Sequence, residues 1–142
     1  MNDFFGNETW IQAASFALRY EVFVLEQHIP PEWEFDALDT SQRNYFLLLD
    51  DLIPVATLRY QLKSETCFQP DRFCVAKPYR KKGIGRSLLF KAEQVAKNNG
   101  CRLSYLVAEL TAQSFYERCG YVSCTPPFEE DGILCVGMEK IL

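Results

Sequence analysis

The stretch from Phe73 to Asn98 constrains this chain most. It reads as an apolar strand (73–76), a basic glycine-containing turn, and an amphipathic helix. Ile84, Leu88, Leu89, Ala92, Val95 and Ala96 recur at helical spacing, which predicts a helix beginning near Gly83. Gly83 and Gly85 in its first turn each cost roughly 0.5–1 kcal/mol relative to alanine inside a helix. An ordinary loop-to-helix junction would carry a serine or aspartate cap instead. What glycine offers is close backbone approach, and a helix N-terminus offers free N–H groups and a positive dipole end. Together these make an anion cradle, most often for phosphate. The charges agree: Lys77, Arg80, Lys81, Lys82, Arg86 and Lys91 place six of the chain's fifteen basic residues here. The expectation is a phosphorylated ligand.

The turn is not a P-loop, because the G-x-x-x-x-G-K-[ST] spacing is absent. Nor is it the dinucleotide fingerprint, since Leu88 fills the third glycine position. Arg80-Lys81-Lys82-Gly83-Ile84-Gly85 has instead the form R/Q-x-x-G-x-G/A directly after a strand. That resembles the acetyl-CoA pyrophosphate loop of the GNAT superfamily of N-acetyltransferases. Val75-Ala76-Lys77-Pro78-Tyr79-Arg80 is similar to the family's V-x-P-x-x-R pattern with one extra residue, and the segment from Phe115 to Tyr121 to its F-Y-x-x-x-G-F/Y element. The run from Arg19 to Asp39 resembles the opening of the small ElaA-like branch.

At 142 residues the chain is read as a single domain, 1–142, long enough to bury a core without staples. A net charge of −4 argues against general nucleic-acid binding. No apolar run reaches membrane-spanning length and no signal-peptide pattern opens the chain, so a cytoplasmic protein without membrane contact is expected. Six cysteines without a C-x-x-C pair, and one histidine, suggest neither zinc nor a disulfide framework.

Thr9 and Gln12 have capping-box spacing, and an apolar stripe predicts a helix over residues 10–26. Residues 3–6 could add only a short strand before it. Pro30-Pro31 stops the helix, and an acidic loop follows whose field would attract a cationic amine. Strands are expected at 45–49, 53–62, 67–76 and 101–107, a short helix at 111–118 capped by Thr111, and a closing hairpin over 121–140. The resemblance implies an α/β (α+β) fold: a mixed, mostly antiparallel twisted sheet with helices on both faces.

Acyl transfer from a thioester to an amine needs a held donor, a polarised carbonyl, a neutral amine and a protonated leaving thiolate. By resemblance, Arg80, Lys81, Lys82, Gly83, Ile84, Gly85, Arg86 and Ser87 hold the donor's pyrophosphate. The backbone of Phe73, Cys74 and Val75, at a strand bulge, holds the pantetheine arm and aims an N–H at the thioester carbonyl. Tyr116 corresponds to the family's thiolate protonator, or else to a core tyrosine. The base is open among Glu26, Glu109, Asp36, Asp39 and His28, with Glu26 and Glu109 favoured. Cys135 stands where close relatives commonly carry a histidine, and it lacks the cationic partner that a reactive thiolate needs. The expected activity is acetyl-CoA-dependent transfer to a primary amine of a small molecule or peptide, directly in a ternary complex, with acetyl-CoA as co-substrate and no metal. The alternative is a non-catalytic CoA-binding or interaction module on the same fold. Homodimerisation through exposed hairpins is left open.

Overall fold

The computed structural model describes residues 1–142. The chain groups into two compact units, residues 1–60 with 72–89, and residues 61–71 with 90–142.

In the first unit the apolar run Tyr45–Asp50 (β2) lies between Asn2–Gly6 (β1) and Ile53–Ser64 (β3), antiparallel to both. Strand alternation sends Tyr45, Leu47 and Leu49 to one face, where they form a core with Ile11. That residue belongs to helix Thr9–Arg19 (α1), whose Phe16 meets Tyr45 edge-on at 5.5 Å. Phe46 points the other way and stacks on Phe5 at 4.5 Å. Pro54 sits at the start of β3, where the register slips between Leu48 and Leu49, so its missing N–H interrupts no regular ladder. Beyond α1, Tyr20–Glu26 winds as a π-helix. Leu18 and Val22 of this continuous helical segment pack against Cys74 and Ala76. Pro31–Glu34 (α2) is a single turn inside the acidic loop.

The second unit centres on Ile133–Ile141 (β8). Leu103–Glu109 (β5) pairs antiparallel along its length, while Val122–Ser123 (β6) and Phe128–Glu130 (β7) also pair with it. Asp131 and Gly132, both at positive φ, close the β7–β8 hairpin. Strand Cys67–Val75 (β4) meets β5 in a parallel ladder at Cys67↔Leu103 and Phe68↔Ser104. Helix Ile84–Asn98 (α3) ends before Gly100 at φ 99°, and Gln113–Arg118 (α4) before Gly120 at φ 97°. Glu93 of α3 is buried beneath Tyr121 and Lys140, accepting from the phenol and the ammonium at 2.7 Å each.

The strand order is β1-β2-β3-β4-β5-β8-β6, with β7 also on β8. It is the mixed, mostly antiparallel α/β sheet that the sequence predicts. No helix is long and apolar enough to cross a membrane.

Three local expectations need correction. A strand does open the fold, because Phe4 and Phe5 find apolar partners in Trp10 and Phe46. The capping box does not form: Thr9 lies inside α1, and the Gln12 amide donates instead to the Thr40 and Arg43 carbonyls at 3.0 Å. Thr111 does not cap α4 either, since it lies in a 3-10 turn, Leu110–Ala112.

Candidate active site

Between β4 and α3 the chain makes a short 3-10 turn, Lys77–Tyr79, tied down by the Tyr79 hydroxyl donating to Asp50 at 2.8 Å. Lys81 (φ 62°) and Gly83 (φ 78°) then take left-handed backbone. A Cβ on Gly83 would meet no atom within 4 Å, so the turn faces open space. Ser87 N–H donates to the Gly83 carbonyl, the first bond of α3. The N–H groups of residues 83–86 therefore have no intrahelical partner. Gly85 is buried, whereas Lys81, Lys82, Arg86 and Ser87 are exposed. The turn thus combines open backbone, free donors, positive dipole and flexible cations.

Arg80, at the head of this turn, is engaged on two sides. Its Nε donates to the Val75 carbonyl at 2.8 Å, and its two Nη atoms grip both oxygens of Glu26 at 2.6 and 2.7 Å. That grip lowers the Glu26 carboxyl below the ordinary glutamate range. Glu26 is therefore an ion-pair partner here, and a proton-accepting role would require Arg80 to let go.

Phe73, Cys74 and Val75 complete β4. Cys74 is buried, and burial pushes its thiol up, so only its backbone is suited to meet a ligand. Immediately before them Arg72 has φ 46° in mid-strand, a conformation that costs an L-residue roughly 1–3 kcal/mol. Its guanidinium holds the kink, donating from Nε to the Glu34 carbonyl at 3.1 Å and from Nη2 to Asp36 at 3.2 Å.

Arg72 forms the rim of a larger network. Buried Arg19 pairs with Glu34 at 2.9 Å and with Asp39 at 2.7 Å; buried Arg59 pairs with Asp36 at 2.6 Å and with Asp39 at 3.0 Å. Tyr45 donates to Asp39 at 2.6 Å. Burial pushes the Asp39 carboxyl up, but the bonds from Arg19, Tyr45 and the Asp36 N–H outweigh it and hold it well below the usual range. This corrects the acidic-loop expectation: Glu34, Asp36 and Asp39 are neutralised by three guanidiniums rather than offered to an amine. The network went unrecognised in the sequence, although Arg19 and Arg59, cations inside apolar runs, were its available signal.

In the second unit Tyr116 of α4 is half-buried, with Phe115 and Tyr121 edge-on at 5.1 and 5.9 Å. Burial, with Cys119 and Glu109 nearby, pushes its phenol upward, so it stays protonated at neutral pH. Glu109 ends β5, exposed, directly across from Cys135 on β8. Burial and the carboxylates Glu130, Glu109 and Asp131 push the Cys135 thiol up, the reverse of what a nucleophile needs. The structure thus gathers Glu26, Arg80 and Val75 in one unit, and Tyr116, Glu109 and Cys135 in the other. Asp36 and Asp39, weighed as bases, are committed to arginines, while exposed His28 stands just past the π-helix at φ 61°.

The acetyltransferase (GNAT) domain family profile matches residues 10–142. Protein ElaA of Escherichia coli K12 is 31% identical over 134 residues, covering 89% of this chain and 85% of ElaA. The E. coli ElaA crystal structure superposes with a TM-score of 0.86 at 26% identity, covering 99% of both chains. A Lactobacillus plantarum structure, described as a candidate N-acetyltransferase, reaches 0.96 at 39% identity, covering 99% of this chain and 97% of that one. A Pseudomonas aeruginosa acyl-CoA N-acyltransferase reaches 0.85 at 28%, covering 98% of both. With the profile spanning nearly the whole sequence and the fold shared end to end, the chain belongs to the GNAT family of acetyltransferases.

Proposed function

We propose that the protein is an acetyl-CoA-dependent N-acetyltransferase, a single domain transferring acetyl directly to a primary amine of a small molecule or peptide in a ternary complex. The observation that carries this is the Arg80–Ser87 turn. Gly83 faces open space at φ 78°, exposed cations flank it, and the N-terminus of α3 follows. That donor set suits a pyrophosphate, with Lys81, Lys82 and Arg86 adding charge to the backbone N–H groups of residues 83–86. A relative described as an acyl-CoA N-acyltransferase supports a CoA thioester as the donor class. All six cysteines are free thiols, which suits a reducing cytoplasm.

Acetyl-CoA, when bound, supplies an activated acyl group. The chain's own residues do the rest. The backbone of Phe73, Cys74 and Val75, beyond the two-residue parallel ladder and after the Arg72 kink, orients the pantetheine arm and directs an N–H at the thioester carbonyl. One such donor is worth roughly 3–4 kcal/mol to acyl transfer. Tyr116, kept protonated, donates a hydrogen bond to the departing sulfur rather than surrendering its proton, because a free thiol near 8.5 is the stronger acid. Glu109 accepts the amine's proton, since Glu26 is held by Arg80.

Calorimetric titration with acetyl-CoA, repeated with acetylpantetheine, tests the loop, and turnover on a panel of primary amines tests the enzyme. Micromolar binding that requires the phosphates, followed by acetylated product, is expected. A folded protein that binds no CoA sinks the reading. Binding without turnover would leave the non-catalytic module.

A further inference from the structure

Arg80 heads the turn to which the proposed function assigns the donor's pyrophosphate, yet its guanidinium already holds an anion. Its three nitrogens divide the work. Nε is fixed on the Val75 carbonyl at 2.8 Å, while Nη1 and Nη2 face Glu26 at 2.6 and 2.7 Å. The paired carboxylate oxygens match the fork in the manner of two phosphate oxygens. Both side chains are about one-third exposed, 33% for Arg80 and 32% for Glu26, so the pair lies within reach of a dissolved anion. Fold stability does not explain the glutamate. It is the last residue of the π-helical segment, where the carbonyl end of a helix disfavours negative charge. An exposed pair of this kind adds little to stability, and giving it up is correspondingly cheap.

We infer, resting on the proposed function, that Glu26 is an internal stand-in for the donor's pyrophosphate. It occupies the two Nη atoms of Arg80 in the absence of donor and yields them to phosphate oxygens when donor binds. The Nε–Val75 bond persists through the exchange, so the guanidinium and the end of β4 stay where they are. Two consequences follow. Donor affinity is lowered by the internal competitor, and return of Glu26 to Arg80 helps expel CoA after transfer. Glu26 is then a positioning residue on the donor side, and the acetyl chemistry belongs elsewhere.

The test compares CoA and acetylpantetheine binding by calorimetry in the wild type and in Glu26→Gln, the latter isosteric and first checked for an unchanged melting curve. Removing the competing charge should tighten CoA binding about two- to fivefold, the range an exposed ion pair commands. It should slow CoA dissociation in stopped flow and leave acetylpantetheine unaffected. In an Arg80→Ala background the same substitution should gain nothing. Glu26→Asp, which keeps the charge but cannot span the fork, should fall between. Equal or weaker CoA binding by Glu26→Gln would make Glu26 a fixed brace and overturn the exchange. So would the same gain without Arg80. If the folded wild type binds no CoA, the proposed function fails and the exchange with it. Wild-type binding without a gain in Glu26→Gln removes the exchange alone.

Discussion

Substituting Asp39 by alanine should be among the most damaging single changes outside the apolar core. Asp39 accepts from Arg19 Nη1 at 2.7 Å and Nη2 at 3.0 Å, from Arg59 Nη1 at 3.0 Å, from Tyr45 at 2.6 Å and from the Asp36 N–H at 3.0 Å. Arg19 and Arg59 are 0% and 1% exposed, so losing their shared carboxylate leaves positive charge in the interior with one counter-charge too few. Breaking a buried pair in this way costs about 3–5 kcal/mol. Against a total stability of roughly 5–15 kcal/mol, that is a fall in Tm of about 10 °C or more. Urea titration followed by tryptophan fluorescence would measure it, with an unchanged slope confirming that both proteins unfold alike. A loss below about 1 kcal/mol would refute the reasoning and mean that water reaches the arginines. The pH dependence has a definite sign. The folded-state pKa of Asp39 is depressed, so its contribution is present above the unfolded value near 3.9 and fades as pH falls toward the folded one. The gap between wild type and Asp39→Ala should therefore stay constant from pH 5 to 8 and narrow only in stronger acid.

Gly83→Ala meets open space but left-handed backbone, so it should cost roughly 1–2 kcal/mol in stability. Gly83→Asp should in addition abolish CoA binding by setting a carboxylate in the anion turn, and calorimetry showing unchanged affinity would sink the loop assignment. Tyr116→Phe should lower kcat while sparing CoA affinity; an unchanged rate would return Tyr116 to a packing role. Native-state maleimide labelling at pH 7 should modify Cys124 first, since the other five cysteines are buried; rapid labelling of Cys135 would contradict its burial among carboxylates.

The glycine turn and α3 were legible because local chemistry dictates them: two adjacent glycines, clustered cations and an apolar stripe on one helix. The hairpin strands were legible for the same reason, as apolar runs between turn residues. Tertiary partners were not. Gln12 looked like a capping residue until the Thr40 and Arg43 carbonyls, about thirty residues away, claimed its amide. The loop acids looked solvated because their arginines lie on α1, β3 and β4, and single-sequence spacing carries no record of such pairings. Glu26 showed the same limit from the other side: its charge was visible, but its engagement with Arg80, 54 residues on, was not.

The π-helical winding from Tyr20 to Glu26 has a consequence for how this chain tolerates changes in length. An i→i+5 ladder takes up more residues per turn than an α-helix does, so the segment carries slack that its neighbours lack. Deleting one residue there lets the ladder tighten to ordinary α winding with every turn still bonded. The same deletion in β3 would send its buried side chains to the opposite face of the sheet. Shortening the helix leaves the first unit folded but rotates Glu26 away from Arg80, separating the scaffold from the adjustment of the site it carries.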